Sequence, residues 1–199
     1  ISEIKNNIEN KTLIFYTNGL LGSRKSQTYS NFNDFMYNLS YWSSWSNGFN
    51  IWKSEFDKID KNLKLNKLFP HTSLFLTQHQ AKLFCINDNL LFDVQRIPKR
   101  GGHNKFEAFT IEYPSLLDEC CKKGHISTKC KKHILFGIMV QFLPSLLFNK
   151  YIIRIETFDD TGFRDNLKKY YPSYAYWLVL ISVLGVPFRL FCRKLKNKR

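Results

Sequence analysis

The sequence predicts an α+β protein: a small antiparallel β-meander with several helices, followed by a C-terminal transmembrane helix. Three observations predict it. Short β-type runs are punctuated by Asn, Asp, Gly and Pro. Two apolar runs, Ile134–Phe148 and Tyr174–Phe191, fill the C-terminal part, and a dense cationic tail follows the second. A length of 199 residues suits one domain with an appendage. The expected division is residues 1–172 as a soluble domain, 173–192 as the membrane helix and 193–199 as a basic tail. Ile1 stands where a Met would open a chain, so a preceding targeting signal cannot be read.

Thr12–Tyr16 (TLIFY) reads as a first strand, closed by Asn18-Gly19, and Gly22–Ser26 as a loop. Asp34–Trp52 is rich in aromatics. The spacing 35, 38, 42, 45, 49, 52 is close to helical, and a packed, Ser-rich loop is the other reading. Glu55–Leu68 is Lys-rich with Phe56, Ile59 and Leu63 on one side, the pattern of a short amphipathic helix ending before Pro70. The meander is expected from Lys82–Ile86, Leu90–Ile97 and Phe106–Tyr113, with turn chemistry at Asn87-Asp88-Asn89 and a loop at Pro98–Gly102. Pro114 opens a helix over Ser115–Cys121 that Gly124 ends. Ile134–Phe148 is short for a span, which needs about 20 residues, and reads as a buried or interfacial helix. Ile152–Phe158 reads as a last strand.

Tyr174–Phe191 carries the membrane signal. As a helix it is about 27 Å long. Tyr170, Tyr171, Tyr174, Tyr176 and Trp177 gather at its start, where amphipathic rings favour the headgroup boundary. Its only charge, Arg189, lies near the end and is expected to reach the headgroups. Arg193 and Lys194 open the tail, which places that side in the cytosol or an organellar matrix. Tyr174, Trp177, Arg189, Arg193 and Lys194 are thus the expected anchor. A central buried helix with a basic end is the bland alternative.

The chain has 30 Lys+Arg against 16 Asp+Glu, a net charge of +14. Lysines number 22 and arginines 8, and lysine is the less specific phosphate ligand. Codon bias toward A and T would also enrich Lys, Asn, Phe, Tyr and Ile. Five cysteines at irregular spacing do not form a secreted disulfide framework. Cys120, Cys121, His125, Cys130 and His133 crowd one segment, and Cys121, His125, Cys130 and His133 could supply the four ligands of a zinc site. A basic loop with incidental Cys and His is the competing reading. Asp93, Glu107 and Glu112 could approach one another if their segments paired. No phosphate loop, nucleophile elbow or HExxH is present. Asn10-Lys11-Thr12 and Asn38-Leu39-Ser40 match the N-glycosylation pattern.

Glu156-Thr157, Gly162-Phe163-Arg164-Asp165-Asn166-Leu167, Tyr176-Trp177 and the run from Ser182 to Pro187-Phe188-Arg189 resemble the transmembrane protein 151 family. The resemblance implies a soluble domain beside a span, and no catalytic residue. Together these readings lead to a non-catalytic, membrane-anchored accessory subunit of a larger assembly. Its partners are membrane lipid and other proteins, and a mitochondrial inner membrane would suit it. Trp42, Trp45 and Trp52 are the expected contact residues. The alternative is a basic nucleic-acid-binding or ribosomal-type protein. A zinc-dependent enzyme around the Cys/His segment is a third reading.

Overall fold

The computed structural model describes residues 10–46, 48–91 and 104–197, with side chains through Cys192. The chain divides into two compact units, Ile1–Asp93 with Leu116–His133, and Val94–Ser115 with Ile134–Arg199. The fold is α+β, as expected, with a three-stranded sheet in the first unit.

The sheet has the order β1-β3-β2, formed by β1 (Leu13–Tyr16), β2 (Ser26–Tyr29) and β3 (Phe84–Asn87). β1 runs parallel to β3, with Leu13 opposite Phe84 and Tyr16 opposite Asn87. β2 runs antiparallel to β3, with Ser26 opposite Asn87. The sheet is therefore mixed, and the expected antiparallel meander is corrected. A parallel return needs a long crossover, which the helices between β2 and β3 supply. β3 is buried along its whole length, while β2 is a polar edge of Ser, Gln and Thr. Of the other strands expected for the meander, Leu90–Ile97 lies beyond Leu91 outside the described residues, and Phe106–Tyr113 is helical.

Helix α1 (Phe32–Leu39) begins at Asn31, whose side chain accepts from the Asp34 N–H at 2.8 Å. Phe32, Phe35, Met36 and Leu39 are buried at helical spacing. The stripe expected to run on to Trp52 stops here: Asn38 is exposed, and Ser40–Ser44 is a 3-10 turn. Helix α2 is only Lys53–Phe56. The longer helix expected to Leu68 gives way to side-chain-to-backbone turns. Asp60 Oδ1 accepts from the Asn62 N–H at 2.9 Å, and Asn66 Oδ1 accepts from those of Leu68 and Phe69 at 2.9 and 3.0 Å. Helix α3 (Pro70–Leu76) starts on its proline. The core between these elements is aromatic: Phe35 stacks on Phe84 at 5.1 Å and Phe15 meets Phe75 edge-on at 5.5 Å. Gly48 lies against Phe15 so closely that a Cβ there would overlap the ring.

Helix α4 covers residues 105–122, with a π-helical turn at Ala108–Glu112. Asn104 caps it by accepting from the Glu107 N–H at 2.9 Å. Phe106, Thr110, Tyr113, Leu117 and Cys120 make its buried stripe. Thr110 is tolerated there because its hydroxyl donates to the Phe106 carbonyl at 2.7 Å. The end of α4 agrees with the helix expected before Gly124, which is left-handed at φ 75°. Helix α5 (Thr128–Ile152) contains the first apolar run. The strand expected over Ile152–Phe158 is not formed. The chain leaves α5 through Arg154 at φ 60°, and Phe158 packs on Phe106 at 5.5 Å. Helices α6 (Phe163–Tyr170), α7 (Ala175–Val183) and α8 (Val186–Asn197) complete the second unit.

Candidate membrane interface

The second apolar run forms two helices rather than one. α7 and α8 are bent by 53° at the break after Val183, next to Gly185 and Pro187. A continuous straight span is thereby corrected to a broken segment. α7 has no polar face in its sequence. Its Ala175 and Val179, with Val186 of α8, are buried in the second unit. The other side is open. Trp177 is 59% exposed, Leu184 81% and Phe188 70%, with Tyr174, Ile181 and Phe191 also exposed. Positions 174, 177, 181, 184, 188 and 191 alternate in steps of three and four, so they share one stripe as far as each helix runs. An apolar stripe of this extent is far more than the scattered leucines of an ordinary surface.

The anchor residues take different places. Tyr174 and Trp177 stand on the open stripe. Arg189 does not reach outward. Its Nη1 donates to the Val140 carbonyl at 2.8 Å and its Nη2 to the Ser182 carbonyl at 3.4 Å. The Ser182 carbonyl already accepts from the Gly185 N–H at 3.2 Å in the tight turn that ends α7, and the guanidinium adds a second donor to it. Tyr171 is also turned inward: it is buried and donates to the Phe109 carbonyl at 2.8 Å. Burial pushes its phenol well above the usual pKa. α8 continues to Asn197 and so carries Arg193 and Lys194 on its backbone.

One described helix is long and apolar enough to cross a membrane, α5, and half of its most apolar window is buried. The run expected to be too short for a span thus lies in a 25-residue helix that is long enough for one, and the core helix of a soluble protein passes the same test.

Beside the stripe, the second unit has an open groove of about 620 Å³. Leu147, Leu180 and Val183 line it with Tyr176, Arg164 and Asp160. Arg164 lies over the Tyr176 ring, 5.3 Å from its centroid. Phe163 meets the same ring at 5.9 Å.

The Cys/His segment does not assemble the expected zinc ligands. His125 stacks face to face on His79, with ring centroids 3.5 Å apart. His133 stacks on Tyr37 at 3.9 Å. Cys121 faces the Thr128 hydroxyl at 3.7 Å, and Cys130 donates to the Asn33 carbonyl at 3.6 Å. Burial pushes the Cys120 and Cys130 thiols up to about 12, which disfavours the thiolate a metal needs. Among the described residues no three His, Cys, Asp or Glu side chains converge. Gly124 turns the chain between α4 and α5, and the ligands follow separate directions. The lysines between them partly serve local ion pairs, Lys122 and Lys131 to Asp118 and Lys123 to Glu119.

Trp42 and Trp45 are half-buried, 5.7 Å apart, in the 3-10 turn and just after it. Trp52 donates to the Thr12 carbonyl at 2.9 Å and so has a structural bond of its own. Asp93 lies outside the described residues, and Glu107 and Glu112 sit on α4, not on a strand pair. Two clusters escaped the sequence reading. The stacked histidines are far apart in the chain, with no spacing signal. Asp88, read only as a turn residue, is fully buried and accepts from Thr17 Oγ1 at 2.6 Å, Ser23 N at 2.7 Å, Ser23 Oγ and Leu21 N at 3.0 Å and Arg24 N at 3.1 Å. It holds the loop between β1 and β2 onto β3.

No family model matches the chain, and no curated protein or solved structure matches it either.

Proposed function

We propose that the protein is a non-catalytic accessory subunit anchored to a membrane by the open face of α7 and α8. The observation that carries this reading is the exposed stripe from Tyr174 through Leu184 to Phe191 on helices whose opposite face is buried. Such one-sided burial suits a helix pair that enters the bilayer from one leaflet rather than a straight crossing. The cationic residues that follow, from Arg193 to Arg199, add attraction to anionic lipid of about 1 kcal/mol each. Anchoring takes both signals, since apolar insertion and basic attraction reinforce one another. The first unit, with its aromatic core and the half-buried Trp42 and Trp45, is the part offered to protein partners.

Fractionation of membranes from cells producing the full chain tests this. The protein should stay with membranes through high salt and alkali and leave only with detergent. Release by salt alone would point to charge, the behaviour of a nucleic-acid or peripheral binder, and would overturn the reading.

A further inference from the structure

We infer that the turn closing α5, residues 151–155, is a second point of insertion into the bilayer, beside the stripe of α7 and α8. The inference rests on the membrane reading and names what covers a separate apolar surface of the same unit. Tyr151, Ile152, Ile153 and Ile155 are each about half exposed or more, with Ile152 at 62%. Four large apolar side chains open within five residues are not the single, scattered exposure of an ordinary surface. The turn is also closed rather than frayed. Arg154 takes the left-handed conformation at φ 60°, the Ile153 N–H donates to the Phe148 carbonyl at 3.0 Å and the Ile155 N–H to the Asn149 carbonyl at 3.1 Å. Backbone groups bonded inside the turn lower the cost of placing it in lipid.

Continuity selects the occupant. Tyr151 and Ile152 line the open groove from α5, and Leu180 and Val183 line it from α7. Ile181 and Leu184 of the exposed stripe are the next residues along α7. The groove's charged residues, Asp160, Arg164 and Asp165, come from α6 and the loop before it, so its α5 and α7 sides carry no charge. An open, uncharged gap between two apolar surfaces offers a rigid partner no matched shape, whereas fluid acyl chains fill it and cover both sides. The carboxylates next to the turn do not oppose this. Glu156 is paired with Lys105, and Asp160 with Lys150 and the Tyr151 hydroxyl. Asp159 accepts from the Thr161 N–H and hydroxyl. Arg154 is exposed, on a stem long enough to keep its guanidinium at the headgroups.

The test uses the full chain on vesicles of phosphatidylcholine doped with phosphatidylglycerol. Cys121 and Cys192, the two half-exposed cysteines, are first replaced by serine, the other three being buried. An environment-sensitive NBD probe is then attached through Ile153→Cys and, in a separate sample, through Leu184→Cys. Phosphatidylcholine brominated on its acyl chains quenches a probe only within the hydrocarbon. The expected result is blue-shifted emission and quenching at both positions, alike to within about twofold. Ile152→Ser with Ile153→Ser, unlabelled, should weaken partition into the vesicles about tenfold. Quenching at position 184 without quenching at 153 overturns the second insertion point alone, and absence of quenching at both overturns the membrane reading with it. A blue shift at 153 without quenching means that a second copy of the chain covers the turn, and overturns the inference too. Unchanged partition of the serine variant does the same.

Discussion

Arg189 donates to the carbonyl oxygen of Val140, 2.8 Å away, and so ties α8 to α5 across the second unit. The same guanidinium reaches the Ser182 carbonyl at the end of α7. One side chain thus closes the helix break and fixes the angle at which the apolar stripe is presented. Replacement by methionine keeps the stem and removes the donors. Arg189→Met should destabilise the folded chain by about 1–3 kcal/mol, read as a lower midpoint in denaturant unfolding. An unchanged midpoint would show that the bend is held by packing alone.

Asp88 makes stability depend on acid. Burial by itself raises its pKa. The hydrogen bonds from Thr17, Leu21, Arg24 and Ser23 outweigh that and leave it below the ordinary carboxylate value. A depressed folded-state pKa contributes stability that is complete above the unfolded value, about 3.9. That stability is lost as pH falls below it through the folded value. Unfolding free energy measured between pH 6 and pH 2 should therefore fall at the acid end (a range set by about two units either side of the unfolded value). Asp88→Asn should flatten the fall and cost about 2–3 kcal/mol at neutral pH, because the amide cannot accept all five bonds.

His125 acts at higher pH. Burial lowers the His125 pKa, with His79 and then Lys123 adding to the effect. A histidine held neutral in the fold is protonated first in the unfolded chain. Its contribution is full above the unfolded value of about 6.5 and declines as pH falls below it toward the folded value. Proton NMR should place the His125 titration below that of a model peptide. His79→Phe removes the neighbouring charge but not the burial, so it should move the titration part of the way back.

Gly48 gives a packing test free of charge effects. A Cβ would overlap the Phe15 ring, which is itself fully buried. Gly48→Ala should lower stability by about 1–3 kcal/mol, the usual effect of overpacking a core. A paired Phe15→Leu substitution should recover part of that loss in the same thermal unfolding measurement.

The parts of the fold legible in the sequence are those with a local signal. β1 and β3 are continuous apolar runs beside turn residues, and Asn18 and Gly19 take the left-handed backbone their types permit. The helix before Gly124 had Pro114 to announce it. The misread segment Phe106–Tyr113 is rich in aromatic and β-branched residues, and Thr110 puts a polar position in the apolar stripe of what is a helix. Its bond to the Phe106 carbonyl, which hides that polarity, exists only once the helix has formed. Parallel pairing of β1 with β3 depends on a crossover that no short window contains. On the open stripe of α7 and α8, the aromatic cluster that includes Tyr174 and Trp177 was legible from composition. The inward turn of Arg189 and Tyr171 was not, since it depends on the carbonyls of Val140, Ser182 and Phe109.

The central claim is that the open stripe of α7 and α8 holds the protein on a membrane. Flotation with anionic vesicles tests it most directly, comparing the wild type with Leu184→Glu/Phe188→Glu. Both side chains are exposed, so the variant should keep its fold, checked by circular dichroism and unfolding. The account predicts that the wild type floats with the vesicles in high salt and that the variant stays at the bottom of the gradient. Equal flotation of a folded variant, or a wild type that salt releases, would contradict it.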